Sequence, residues 1–201
     1  MRRRTHHFRY VESYRRQQGY ALIAGIDEVG RGALAGPLVA AGLILRPHVK
    51  LPGLKDSKAL SAKQRERFAI HITQHALSYA FGSVSPKEID TLGIAAANDL
   101  AFMRALKQLL PQPNYVLADY FSLDGFTCTI EGVRGGDREV RVIAAASVIA
   151  KVYRDALMVQ MDKRYPGYGF CQHVGYGTVE HRRAIRRLGA SPIHRRSFSL
   201  L

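Results

Sequence analysis

Acidic residues are scarce in this chain, cysteine is scarcer, and long apolar runs are missing. Only 16 Asp and Glu stand against 30 Lys and Arg, a formal net charge of +14, and no acid follows Glu180. With a pI near 10.2, that imbalance calls for a polyanionic partner, either nucleic acid or an anionic membrane surface. The longest apolar stretch, Ala33 to Leu45, is too short to span a bilayer and contains Gly36 and Pro37, so membrane insertion is excluded. Met1-Arg2-Arg3-Arg4 is followed by no apolar segment, which argues against a secretory leader. Two cysteines, Cys128 and Cys171, form no CxxC and no disulfide framework; they suit a reducing cytoplasm. Repeats, low-complexity tracts and linkers are absent. A 47% hydrophobic and 23% charged composition is that of an ordinary globular chain, which excludes disordered and collagen-like classes. Nucleic acid is the favoured partner, and a cytoplasmic monomer without membrane attachment is expected.

The organisation predicted is a basic N-terminal arm over residues 1–20, with at most a helical turn or two, and one domain over 21–201. Ala21 to Ile26 and Leu38 to Leu45 read as strands. Ser61-Ala62-Lys63-Gln64 is a capping box that opens a helix to about Leu77, burying Phe68, Ile72 and Ala76; Leu77 to Val84 reads as a strand or as a continuation. Ser85-Pro86-Lys87-Glu88 is a second capping box with proline in the first helical turn. A helix from about Ile94 to Leu110 stops before Pro111. Tyr115 to Asp119 and Phe126 to Val133 read as strands, Ala144 to Arg164 and Thr178 to Leu188 as helices. This order predicts an α/β architecture: a mixed sheet with helices packed on it and a helical C-terminal extension.

The densest chemical signal is Gly25-Ile26-Asp27-Glu28-Val29-Gly30-Arg31-Gly32, closed by Ala35-Gly36-Pro37. A buried strand delivers two adjacent carboxylates to a turn whose glycines let backbone amides approach a ligand, and Arg31 adds a planar cation suited to phosphate. The duller reading is a solvated acid pair beside an ordinary turn. Asp119 ends another apolar strand and Asp137 follows Gly135-Gly136. If these acids converge they need cations, because several carboxylates in one place do not all stay ionised unaided. Oxygen-only ligands fit Mg2+ or Mn2+ rather than zinc, and two such ions about 4 Å apart activate water and stabilise the leaving oxygen in phosphodiester cleavage. Adjacent strand residues point to opposite faces, so Asp27 and Glu28 share a site only if the strand ends or bulges there.

Several motifs together resemble ribonuclease HII: GIDEVGRGALAGP; Asp56-Ser57-Lys58-Ala59-Leu60-Ser61; Gly135-Gly136-Asp137; Ala145 to Val152 followed by Arg154-Asp155; Gly167-Tyr168-Gly169-Phe170; and His173-Val174-Gly175-Tyr176-Gly177-Thr178. The resemblance runs from about Ala24 to Phe198 in order and spacing. It implies a ribonuclease H-like fold, a five-stranded mixed sheet flanked by helices with C-terminal helices. It also implies metal-dependent endonucleolytic cleavage of RNA in RNA–DNA hybrids and at ribonucleotides embedded in duplex DNA. Carried over, the family's catalytic and metal-holding acids fall on Asp27, Glu28, Asp119 and Asp137. Its sensor of the ribose 2′-hydroxyl falls on Gly30, Arg31 and Gly32, and its junction-reading tyrosine on Tyr176. Lys58, Ser147 and Lys151 stand where the family has substrate contacts or supporting polar groups. Where the family often has glycine after its third acid, this chain has Tyr120-Phe121; Asp124-Gly125 imitates that pair, but Asp119 fits the strand and the spacing to Asp137. The related ribonuclease HIII has threonine in place of Arg31 and an extra N-terminal domain, for which the residues before Ala24 leave no room.

Other features have plainer readings. Glu139 and Asp155 are rival metal contacts, but Asp155 is expected to pair with Lys151 or Arg154. His6 and His7 read as a solvated patch, Cys171-Gln172-His173 lacks a second pair for zinc, and His194-Arg195-Arg196 reads as a phosphate-facing or solvated tail. Arg182, Arg183, Arg186 and Arg187 make either a solvated helix face or a duplex contact. Ser197 to Leu201 is a weak candidate for docking a replication clamp. The competing functions are a non-catalytic basic nucleic-acid-binding protein and a junction- or transposase-type nuclease indifferent to a 2′-hydroxyl.

Overall fold

The computed structural model describes residues 11–55, 57–119, 126 and 128–201. Five strands, β1 (Ile23–Val29), β2 (Leu38–Leu45), β3 (Ala76–Val84), β4 (Tyr115–Asp119) and β5 (Thr129–Val133), form one sheet in the order β3-β2-β1-β4-β5. The first three are antiparallel neighbours, and β4 and β5 join in parallel. The expected five-stranded mixed sheet of the ribonuclease H-like fold is present. Every residue of β2 is buried, as its unbroken apolar run requires of a central strand covered on both faces.

Eight helices surround the sheet in the described residues: α1 (Val11–Gln17), α2 (Ala62–His75), α3 (Pro86–Leu92), α4 (Ile94–Lys107), α5 (Gly136–Glu139), α6 (Arg141–Arg164), α7 (Phe170–His173) and α8 (Val179–Leu188). One core lies between the sheet and α6 with α2, around Leu43, Ile72, Leu117 and Ile149. A second lies beneath α3 and α4, around Ile26, Ile44, Phe102 and Leu106, and a smaller third gathers Ala35, Met158, Tyr168, Phe170 and Ala184. Both predicted capping boxes form, Ser61 with Gln64 and Ser85 with Glu88. Gly25 explains how close α6 sits: a Cβ there would strike the Val142 backbone, so the glycine lets this helix lie directly on β1.

Several boundaries shift. The predicted helix after Ser61 ends at His75 and the remainder pairs as β3; Phe68 is only half-buried, whereas Ile72 and Ala76 are buried. The fourth helix ends at Lys107, β5 starts at Thr129, and α6 begins three residues before Ala144. In the expected arm, residues 1–10, with His6, His7 and the first arginines, lie outside the described residues, but α1 is docked. Glu12 is buried, accepts from the Val142 amide at 2.9 Å and pairs with Arg141 at 2.9 Å. α6 has no side-chain cap of its own, so Glu12 caps it from a distance. Arg15 pairs with Glu131 at 2.8 Å, so its charge is used inside the protein.

The reading of His194-Arg195-Arg196 as a solvated or phosphate-facing tail is corrected for His194 and Arg195, while Arg196 is exposed. His194 and Arg195 are among the most buried polar residues, and His194 bridges to Ala35 as a β-pair. A charge run looks solvated in sequence, but here the Arg31 and Gly36 carbonyls accept from the Arg195 side chain, and the His194 ring is bonded to Ser191 and His181. Phe198 packs on the second core under Arg195, and Asp90 accepts from the Arg196 and Ser197 amides at 2.9 Å.

Candidate active site

The carboxyl ends of β1 and β4 open into a cleft of about 420 Å³, lined by Asp27, Glu28, Gly30, Arg31, Gly32, Lys58, Asp119, Asp137, Ser147, Lys151 and Tyr176. These are all eleven residues onto which the family resemblance carries a site role; the rival contacts Glu139 and Asp155 and the Arg182 to Arg187 cluster do not line it. A larger hollow of about 610 Å³ beside α2, lined by Arg67, Phe68 and His71 among others, holds none of them. Of the two arrangements that would let Asp27 and Glu28 share a site, a strand end or a bulge, the bulge does not occur: pairing of β1 with β2 runs unshifted through Val29. Instead β1 and β4 stop pairing at Ile26 and Ala118. Beyond that point both faces of β1 border the same opening, so side chains of opposite direction share one cleft.

Asp27 is buried, and its Oδ1 accepts from the Glu28 amide at 2.9 Å. Burial drives its pKa well above the usual carboxylate value, and repulsion from Glu28 and Asp119 adds to this, against a hydrogen bond from Ser147. That bond fixes a relay. A carboxylate only accepts, so Ser147 donates to Asp27, and the Ser57 hydroxyl, 2.9 Å from that of Ser147, donates in turn. Burial also raises Glu28, with Arg31 opposing and Asp119 reinforcing. Asp119 Oδ1 accepts from the Gly136 amide at 2.8 Å, which ties β4 to α5 beside Asp137, and Lys58 lies 3.6 Å from Asp137. Among the described residues no three His, Cys, Asp or Glu side chains are drawn into a finished ligand cage. The donor set still fits a hard divalent cation: oxygen-only, partly desolvated and carrying carboxylate repulsion that a cation relieves.

The glycines divide their work. Gly30 has φ +88°, and a Cβ there would run into the Arg154 side chain; around Gly32 a Cβ would meet nothing within 4 Å. So Gly30 serves the fold and Gly32 leaves the cleft open. Arg154 is wholly buried and, among the described residues, forms no carboxylate salt bridge; it donates to Pro37 O at 2.9 Å, Val174 O at 2.9 Å and Ala35 O at 3.2 Å, and faces the Tyr176 ring at 5.6 Å. Arg195 donates to Arg31 O at 2.9 Å and Gly36 O at 3.0 Å. Two buried guanidiniums therefore clamp the turn after β1 from behind.

Ser57 and Arg65, which also line the cleft, escaped the sequence reading. Ser57 lies within the Asp56 to Ser61 motif, whereas Arg65 carries no local signal. Asp155 pairs with Lys151 at 2.8 Å, as expected of a helix-surface acid. Asp124, the rival third acid, and Asp56 lie outside the described residues. Cys171 is exposed while His173 is buried and bonded to Tyr168 O, so the two make no zinc pair.

A mixed five-stranded sheet that brings acids from the ends of two parallel strands to a glycine-arginine-glycine turn defines a ribonuclease H-like hydrolase. Residues 24–201 match the family Ribonuclease HII. The chain belongs to the ribonuclease HII family and is a metal-dependent ribonuclease, of the class that cuts the RNA strand of RNA–DNA hybrids. It is 51% identical over 181 residues to Ribonuclease HII of Desulfitobacterium hafniense strain Y51, covering 90% of this chain and 70% of that one. It is 48% identical over 189 residues to Ribonuclease HII of Syntrophotalea carbinolica, covering 94% and 90%. The ribonuclease H2 structure from Pyrococcus horikoshii OT3 superposes with a TM-score of 0.74 at 26% identity, over 89% of this chain and 94% of that one. The structure of the PCNA:RNase HII complex from Archaeoglobus fulgidus gives a TM-score of 0.75 at 25% identity, over 90% and 96%. Bst-RNase HIII in complex with Mn2+ shares the fold, with a TM-score of 0.68 at 20% identity over 92% and 69%. No helix among the described residues is long and apolar enough to cross a membrane.

Proposed function

We propose that this ribonuclease cuts on the 5′ side of ribonucleotides, both in hybrids and as single ribonucleotides embedded in duplex DNA, leaving 3′-hydroxyl and 5′-phosphate ends. The supporting observation is the lining of one cleft by four carboxylates, the glycine-arginine-glycine turn, Tyr176 and the cations Lys58 and Lys151. Asp27, Glu28, Asp119 and Asp137 would hold one or two Mg2+ or Mn2+ ions. When bound, such ions supply water activation and charge neutralisation at the phosphate. Ser57 and Ser147 keep an Asp27 oxygen oriented, and the Gly136 amide does the same for Asp119. The amides of Gly30 to Gly32 meet the 2′-hydroxyl, which distinguishes RNA from DNA, and Tyr176 packs beside that sugar. Lys58, Lys151 and Arg65 face backbone phosphates, so binding weakens steeply with salt.

The enzyme acts in the cytoplasm. A sliding clamp is a partner by analogy with the Archaeoglobus protein, but Phe198 is packed on the core, so the last residues would have to leave their seat to dock. The test compares a duplex containing one ribonucleotide, the all-DNA duplex of the same sequence, and a hybrid, each with wild type and Asp27→Asn in Mg2+. Cutting of the first and third by wild type alone is expected. Cutting of the all-DNA duplex, or equal cutting by the variant, overturns the reading.

A further inference from the structure

Three buried histidines, His173, His181 and His194, lie behind Tyr176, and their partners determine each tautomer. The Ser191 amide donates to His194 Nδ1 at 2.9 Å, so Nδ1 accepts and the proton of a neutral ring is on Nε2. That nitrogen stands 3.1 Å from His181 Nε2. His181 Nδ1 lies 2.9 Å from Tyr176 O; a carbonyl only accepts, so Nδ1 carries the proton and Nε2 is free to accept. One consistent chain results: Ser191 N–H to His194, His194 to His181, His181 to Tyr176 O. His173 stacks on His181 at 4.3 Å, donates from Nε2 to Tyr168 O at 2.9 Å and accepts at Nδ1 from the Gly175 amide at 3.2 Å.

We propose that Ser191, His194 and His181 form a positioning relay through which the C-terminal segment sets Tyr176 in the cleft and tunes ribonucleotide recognition. The inference rests on the reading of Tyr176 as the residue beside the ribose. Further contacts tie the same segments together. The Leu34 and Ala35 amides donate to Gly175 O at 2.8 and 3.2 Å, the Arg195 amide to Leu34 O at 2.9 Å, and the Gly36 amide to Ile193 O at 2.9 Å. The turn after β1, the Tyr176 turn and residues 191–195 are therefore one hydrogen-bonded unit, with the relay on its buried side. Burial holds His181 at a pKa of about 4 and lowers His194; near neutral pH both rings are uncharged, as the chain of donors requires. His173, Arg182 and Arg196 are the charged or titratable groups that press on them in the same direction.

The test uses amide isosteres of the two ring nitrogens, asparagine standing near Nδ1 and glutamine near Nε2. His181→Asn keeps a donor for Tyr176 O, and His181→Gln loses it. At 194 the order reverses, because His194→Gln keeps the donor to His181 and His194→Asn does not. Expected on a duplex with one ribonucleotide is a kcat lower by about tenfold in His181→Gln and His194→Asn than in their counterparts, the effect of one lost hydrogen bond. KM and affinity for the all-DNA duplex should stay unchanged. The same ranking of Asn and Gln at both positions, or no difference at either, overturns the relay. Should one variant fail to fold, the pair at the other position decides alone. Tyr176→Ala is the control: full wild-type cleavage by it removes the reading of Tyr176, whereas a loss there with four unchanged histidine variants removes only the relay.

Discussion

Replacing Gly30 by alanine tests whether the turn after β1 is held by Arg154 or merely lies near it. At φ +88° an alanine costs about 1–2 kcal/mol from the clash of its Cβ with backbone. The new methyl also occupies the place of the Arg154 guanidinium, which makes three carbonyl bonds at 2.9 to 3.2 Å. A hydrogen bond from a charged group contributes about 1.5–3 kcal/mol, and a buried cation that loses an acceptor regains no water. Losing one bond brings the total to about 3–5 kcal/mol, a large part of a typical 5–15 kcal/mol of stability. Gly32→Ala is the matched comparison, with open space around it and no positive φ; its stability should lie within about 0.5 kcal/mol of wild type. Urea unfolding of both variants measures the difference, and cleavage of an embedded ribonucleotide measures its consequence. Gly32→Ala should fold normally yet cut about tenfold more slowly or worse, because its methyl enters the cleft. Gly30→Ala unfolding within about 1 kcal/mol of wild type would refute the clamp.

Asp27→Asn should melt about 2–4 °C higher than wild type in chelator, since about 1 kcal/mol of carboxylate repulsion is relieved, and should gain less stability on adding Mg2+; a lower melting point would show that the acid cluster is not strained. His181 has a folded pKa of about 4 against 6.5 unfolded, so the stability it protects is intact above pH 6.5 and lost as pH falls towards 4, to the extent of roughly 3 kcal/mol. Unfolding midpoints measured across that window should fall, and less so in His181→Asn; parallel slopes would rule the histidine out. Glu12→Ala removes the acceptor for the α6 amide and for Arg141 and should cost about 2–3 kcal/mol in urea unfolding, with Glu12→Gln intermediate; an unchanged midpoint would make α1 an idle attachment.

Much of the site was legible because its markers are local. An apolar strand ending in acids, a glycine turn and two capping boxes are written within a few residues each, and β2 and both caps lie where those patterns put them. The supporting residues were not. Arg154 and Arg195 carry polar side chains whose burial depends on carbonyls over a hundred residues away, and nothing near them in sequence marks those acceptors; His194 is placed by a backbone bridge to the equally distant Ala35. Glu12 looked like one acid in a basic arm until α6 arrived with an uncapped end.

Residue identity alone determined what chemistry is available: oxygen ligands for a hard cation, glycine where a side chain would obstruct, and an excess of positive charge for a polyanion. Tertiary structure decided how Asp27 and Glu28 come to share a cleft. No bulge turns one of them; β1 outlasts its pairing with β4 and leaves both faces open. It also decided which charges are spent internally, since a guanidinium or imidazole leaves water only where the folded backbone presents the partners that replace it.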